Sequence, residues 1–268
     1  MNRINLPEDV EIVITDYIDI FNTKLPDLME SFYLIGSVVL NDYHKGKSDI
    51  DFISIIKNEI NTSEVEKIKE IHKKIGSKYP KSRLEGSYVT PKQVKVLDKN
   101  EVPVVYFDGK HVRYNGKSGN NGIVTCFILK NYAITVTGKP PEYYIPHIDV
   151  DDLVSYVKLN ANIYWTNWTE KASKRLSVYS ALVLFGQKVE WGVLGISRLY
   201  YTMYEMDIVS KYEAGKYVLE GVPPDFEKIL KEALRIRKGE SKSYYSSPFK
   251  RRKDTLSFMW YMIPQFND

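Results

Sequence analysis

Near residue 148 the hydrophobic period of this chain changes, and that change limits the folds open to it. Before it, short β-branched apolar runs alternate with helical stretches. After it, apolar residues recur at helical spacing. That order predicts an α+β chain of two domains. Residues 1–148 would hold a mixed β-sheet with helices, and residues 149–268 an α-helical bundle. A length of 268 residues accommodates both without disulfide or metal staples.

The first helix is expected to start at Pro7, with Glu8 and Asp9 at the positive end of its dipole. Phe32–Ile35 reads as a short buried strand and Asp49–Ile56 as a second. Ser63 is the expected cap of a helix to about Ile75, with Glu66 completing a capping box. A third strand is expected over Leu84–Val89. From Leu97 to Asn121 the chain reads as loop and irregular strand, and Gly138, Lys139, Pro140 and Pro141 break it again. Asp149, Asp151 and Asp152 suit the start of the next helix. Further helices are expected over Glu170–Phe185, Trp191–Met206, Lys211–Glu220, Pro224–Arg237 and Pro248–Met262.

Composition narrows the class. The net charge of +4 is too small to require nucleic acid, though it suits a polyphosphate. The 21 tyrosines are expected mostly to fill cores and interfaces. The single cysteine, Cys126, excludes an internal disulfide and lies in an apolar run, so it reads as a core residue. His44, His72, His111 and His147 lack metal spacing and read as surface or loop residues. The basic run Lys250, Arg251, Arg252, Lys253 reads as a solvated helix face. No stretch suits a membrane span or signal peptide, so a cytoplasmic location without a membrane partner is expected.

The chemistry concentrates in two short blocks. Residues two apart on a strand share a face, so Asp49 and Asp51 would project together while Ile50 and Phe52 enter the core. Two adjacent carboxylates repel unless a cation lies between them, and magnesium suits oxygen ligands. Gly36 would let the backbone approach a phosphate. The Ser37 amide and the hydroxyls of Ser37 and Ser48 would donate to it. Glu85, a carboxylate in an otherwise apolar strand, would complete the site as metal ligand or general base.

These residues resemble a known signature. Leu34-Ile35-Gly36-Ser37 followed by Lys47-Ser48-Asp49-Ile50-Asp51-Phe52 is similar to the motif of DNA polymerase β-like nucleotidyltransferases. The block Trp191–Tyr201, with Ile208-Val209-Ser210-Lys211, Ala214 and Gly221-Val222-Pro223, resembles the streptomycin/spectinomycin adenylyltransferases. The resemblance implies transfer of AMP from ATP to a hydroxyl of a small molecule, with two magnesium ions. Asp49 and Asp51 would be metal ligands, with Glu85 as base and further metal ligand. Gly36, Ser37 and Ser48 would lie at the phosphates, and Arg198 and Lys211 would reach the ATP phosphates from the helical domain.

The chain also departs from that family. Lys188 stands where a drug-binding aspartate would align, and Glu190 is the acid within reach. Tyr106, His111 and Tyr114 are loose counterparts of the family's aromatic platform. The departure argues against streptomycin and leaves spectinomycin or another hydroxyl-bearing small molecule, antibiotic or not. Three other readings compete. A protein-modifying nucleotidyltransferase of toxin–antitoxin type would be shorter, a non-catalytic nucleotide-binding module need not keep three carboxylates, and a nucleic-acid polymerase would be more basic.

Overall fold

The computed structural model describes residues 6–97, 103–116, 122–145, 148–174 and 177–267, with 114–116 as backbone only. His147 therefore lies outside the described residues, as does the side chain of Tyr114. The chain divides into two compact units, Met1–Ile148 and Asp149–Asp268.

The first unit opens with α1 (Glu8–Lys24), preceded by Pro7 and carrying acids in its first turn. Then come β1 (Met29–Leu34), β2 (Ile50–Ile56), α2 (Thr62–Lys78) and β3 (Leu84–Val89). The one-turn α3 (Pro91–Val94), β4 (Val104–Phe107), β5 (Val112–Gly116), α4 (Ile123–Asn131) and β6 (Ile134–Thr137) follow. The strands form one sheet in the order β5-β4-β3-β2-β1-β6. Among its pairings β2 with β3 is parallel and the others are antiparallel. A parallel pair needs a crossover, which α2 provides.

Period 2 decides which side chains meet which layer. Ile50, Phe52 and Leu84 enter one core with Val13, Tyr17 and Phe21 of α1 and Ile68 and Ile71 of α2. Asp51 and Glu85, one residue out of phase, therefore project from the opposite face of the sheet.

Several sequence expectations are corrected. Asn61, not Ser63, caps α2: the Glu64 amide donates to Asn61 Oδ1 at 3.0 Å and the Asn61 amide to Glu64 Oε2 at 2.8 Å. Both side chains thus satisfy an end-group, which explains the earlier start. The region read as loop and irregular strand contains two paired strands, β4 and β5, and all four residues of β4 are buried. His72 is not a surface residue. It lies on the buried face of α2, stacks on Phe107 and shares a 2.6 Å hydrogen bond with Tyr88 Oη. Burial pushes its pKa down to about 3, so the ring is neutral. Cys126 is buried in α4.

The second unit is helical. Asp149 caps α5 (Val150–Asn160) by accepting from the Asp151 amide at 3.0 Å. A π-helical turn, Ala161–Trp165, leads into α6 (Thr166–Ser173). The remaining elements are α7 (Val178–Leu182), α8 (Gly186–Glu205), α9 (Lys211–Gly221), α10 (Pro224–Lys238), α11 (Pro248–Met262) and a final 3-10 turn, Ile263–Phe266. Val193, Leu194 and Ile196 of α8 are fully buried, which makes this helix the centre of the core. Gly195 is obligatory there, because a Cβ would run into the Trp165 ring.

Two expectations change in this unit. The helix read over Glu170–Phe185 is two helices, because Lys174 is extended and Ser177 caps a fresh start. The basic run of α11 is not one solvated face. Lys250 and Lys253 are exposed, but Arg251 donates to Glu232 Oε1 at 3.1 Å and the Leu184 carbonyl at 2.7 Å. Arg252 donates to the Ala172 carbonyl at 2.6 Å.

Candidate active site

The turn after β1 is built around Gly36, whose φ of 67° favours glycine. Space demands glycine as well: a Cβ there would overlap the Asp51 carboxylate. The turn is fixed by the Ile35 amide on the Asp51 carbonyl at 3.0 Å and the Asp42 amide on the Ser37 carbonyl at 2.9 Å. Ser37 Oγ is shielded from solvent and has no hydrogen-bond partner among the described residues. Leaving a buried hydroxyl unmatched is costly, so an oxygen ligand there would relieve it. Ser48 Oγ accepts from the His44 amide at 3.0 Å, a bond that leaves its own hydrogen for another acceptor.

Asp51 and Glu85 are register partners across the parallel β2–β3 ladder. Side chains at paired positions stand side by side on one face. Tyr106 of β4 donates its hydroxyl to Glu85 Oε1. Burial raises the Tyr106 pKa first, and the Glu85 bond and the charges of Glu85, Asp51 and Asp108 raise it further. The phenol thus stays protonated. Asp49 lies one residue before β2, and its Oδ1 accepts from Arg83 Nε at 2.8 Å and Nη2 at 2.7 Å.

Among the described residues no three His, Cys, Asp or Glu side chains converge as a metal-binding set. Asp51 and Glu85 offer two hard oxygen donors, while Asp49 is engaged by Arg83. That donor set fits magnesium, which is commonly held by one or two carboxylates plus substrate phosphates and waters.

In the helical unit a second charged group gathers. Lys211, the first residue of α9, approaches Glu190 Oε1 at 3.4 Å, and Arg237 of α10 approaches the same oxygen at 3.8 Å. Burial is the main cause of a lowered Lys211 pKa, and Arg198 and Arg237 lower it further against the pull of Glu190. The four residues therefore sense one another. Glu190 is thus tied into the cation group, and Lys188 lies over the Trp191 ring at 5.1 Å.

Comparison with known proteins follows the same division. Residues 14–99 match the family model described as the nucleotidyltransferase domain. Residues 179–262 match that of the aminoglycoside adenylyltransferase C-terminal domain. The chain thus carries a nucleotidyltransferase domain and an aminoglycoside adenylyltransferase C-terminal domain. It is thereby an enzyme of the nucleotidyltransferase superfamily. No curated protein matches the sequence. Among solved structures, this chain is similar to spectinomycin adenyltransferase AAD(9) from Enterococcus faecialis with ATP and spectinomycin. The TM-score is 0.69 at 16% identity, over 96% of this chain and 99% of that one. A toxin–antitoxin structure with AMP-PNP gives a TM-score of 0.30 at 16% identity, over 55% of this chain and 89% of that one.

The structure brings together Gly36 with Asp51, Asp51 with Glu85, and Lys211 with Arg198. Sequence reasoning missed Arg83, Arg237 and the bond from Tyr106 to Glu85. Tyr106 stood two residues into a run of four apolar side chains, which was its available signal. Nothing in the local pattern marked Arg237, one of three cations in the last turn of α10.

Proposed function

We propose that this enzyme moves AMP from ATP to a hydroxyl of a small molecule, an aminoglycoside-type antibiotic such as spectinomycin. The observation that carries it is the Asp51–Glu85 pair set in register beside the Gly36 turn. The similar AAD(9) structure, described with ATP and spectinomycin, supports the acceptor class. In this reading Glu85 takes the proton from the acceptor hydroxyl. The freed oxygen attacks the α-phosphorus, its bond to the bridging oxygen breaks, and pyrophosphate leaves. Gly36, Ser37 and Ser48 orient the phosphates. Arg198, Lys211 and Arg237 neutralise the leaving pyrophosphate.

Asp49, Asp51 and Glu85 would hold magnesium, two ions in the fullest form, which would offset charge on the phosphates. Residues 1–148 then supply the chemistry and phosphate contacts, and residues 149–268 further phosphate and acceptor contacts. The reading needs neither nucleic acid nor membrane. Among the described residues no helix is long and apolar enough to cross one. It fits a cytoplasmic location, where ATP and magnesium are available.

The test is pyrophosphate release from ATP and magnesium over spectinomycin, streptomycin, other aminoglycosides and lincosamides. Release is expected with spectinomycin or a close relative, and loss in Glu85→Gln. Silence across the panel with ATP still bound would overturn the acceptor class. Full activity in Asp51→Asn would overturn the mechanism.

A further inference from the structure

A cavity of about 310 Å³ opens in the helical unit among α8, α9 and α11. Its walls include Tyr200 and Tyr204 of α8, Tyr217 and Glu220 of α9, Tyr261 of α11 and Gln265 of the final turn. Tyr200 and Tyr204 are four residues apart on α8, and Tyr217 and Glu220 three apart on α9, so each of these pairs shares one helix face. The volume lies at the lower end of the ~300–1,000 Å³ typical of small-molecule sites. None of Glu190, Arg198, Lys211 and Arg237 lines it.

The aromatic walls are held in place. Tyr217 packs edge-on against Tyr201 at 5.0 Å and donates its hydroxyl to Glu205 Oε1 at 2.6 Å. That bond is the first cause pushing its pKa up to about 12, so it remains a neutral phenol. Tyr261 stacks on Phe226 at 4.6 Å. Tyr200 and Tyr204 lie 4.6 Å apart, with Tyr204 half-exposed at the mouth. Val218 and Met262, both buried, lie among the lining residues and make part of it apolar. The charged residue in the lining is Glu220, and no lysine or arginine lines it.

Four tyrosines beside a carboxylate, without a cation in the wall, select for positive charge carried on an apolar body. The ring quadrupoles attract a cation whose weak hydration lets it leave water, and the carboxylate adds to the field. A strongly hydrated metal ion or an anion is poorly matched to such a lining. We infer that this cavity binds a small organic ammonium compound, with the ammonium group among the tyrosines and towards Glu220. The site is made by the helical unit alone and does not rest on the adenylyl-transfer reading.

The test uses the full chain and choline as probe, followed by ligand-detected NMR. The control is 3,3-dimethylbutan-1-ol, which has the same shape without the charge. Saturable choline binding is expected, with the neutral isostere at least about tenfold weaker, the size of a desolvated cation–π contact. Glu220→Gln should weaken choline about threefold, and Tyr204→Leu about fivefold. Both positions are exposed, so unfolding temperatures should be unchanged, and Asp51→Asn should bind choline like the parent. Equal affinity for choline and its isostere would overturn the inference. So would the absence of saturation, or parental affinity in both cavity variants.

Discussion

Glu232 and Glu190 are both carboxylates of the helical unit and both faced by arginine, yet they are built differently. Glu232 is fully buried and saturated. Arg235 donates to it at 2.9 and 3.0 Å, Arg251 at 3.1 Å, Ser243 at 2.8 Å and the Tyr244 amide at 3.0 Å. Burial alone would raise its pKa, but these donors outweigh it and hold the group at about 2. Glu190 meets its cations at 3.4 and 3.8 Å, at and beyond the limit of a good hydrogen bond. One carboxylate is a fastening between α10 and α11. The other meets Lys211 of α9 and Arg237 of α10 at longer range.

Removing chemistry in the first unit gives the largest effect and a baseline for the rest. Asp51→Asn should lower turnover at least about a hundredfold with little change in unfolding temperature. Comparable loss of stability would reduce Asp51 to a structural residue. In the helical unit, Glu232→Gln should cost about 3–5 kcal/mol in denaturant unfolding, since it leaves buried guanidinium groups without their counter-charge. Its folded fraction should bind ATP normally. The sign with pH is fixed by a folded pKa below the ordinary 4.5. The stability from Glu232 is full above about 4.5 and is lost as pH falls towards 2. Over that window the variant should lose less stability than the parent.

Lys211→Ala should weaken ATP about tenfold, ~1.4 kcal/mol, in a binding titration, with stability nearly constant because a buried cation is removed with its desolvation penalty. Glu190→Gln should act in the opposite direction. Without the competing carboxylate, ATP should bind about two- to fivefold tighter. Weaker binding would mean that Glu190 fastens its cluster as Glu232 does. The smallest effect concerns pH. With the Lys211 pKa lowered from 10.5, first by burial, ATP affinity should start to fall before pH 10.5. Lys211→Arg should remove that alkaline limb, because a guanidinium keeps its proton.

The difference between the two carboxylates was invisible in the sequence, and the reason is physical. Both Glu190 and Glu232 lie on amphipathic helices, where period 3.6 gives a face but not the partner on it. Strands are more explicit. Alternation in Ile50-Asp51-Phe52 and Leu84-Glu85-Gly86 fixed which residues face the core. What it left out was register, which depends on pairing, and so Arg83 and the bond from Tyr106 to Glu85 escaped notice. The start of α2 was misjudged because Asn61 and Ser63 each stand three residues before a glutamate, and only tertiary context chooses. His72 and Arg251 were assigned to the surface by residue type, whereas packing and partners drew both inward.

The parallel pairing of β2 with β3 also bears on how the protein is made. Asp51 and Glu85 become neighbours only after α2 has crossed over and the later strand has docked. Contacts so distant in sequence form late, because chain closure must precede them. A nascent chain still lacking β3 has Asp49 and Asp51 but not the Asp51–Glu85 pair. Cation capture at this pair would therefore report the moment at which β3 docks on β2.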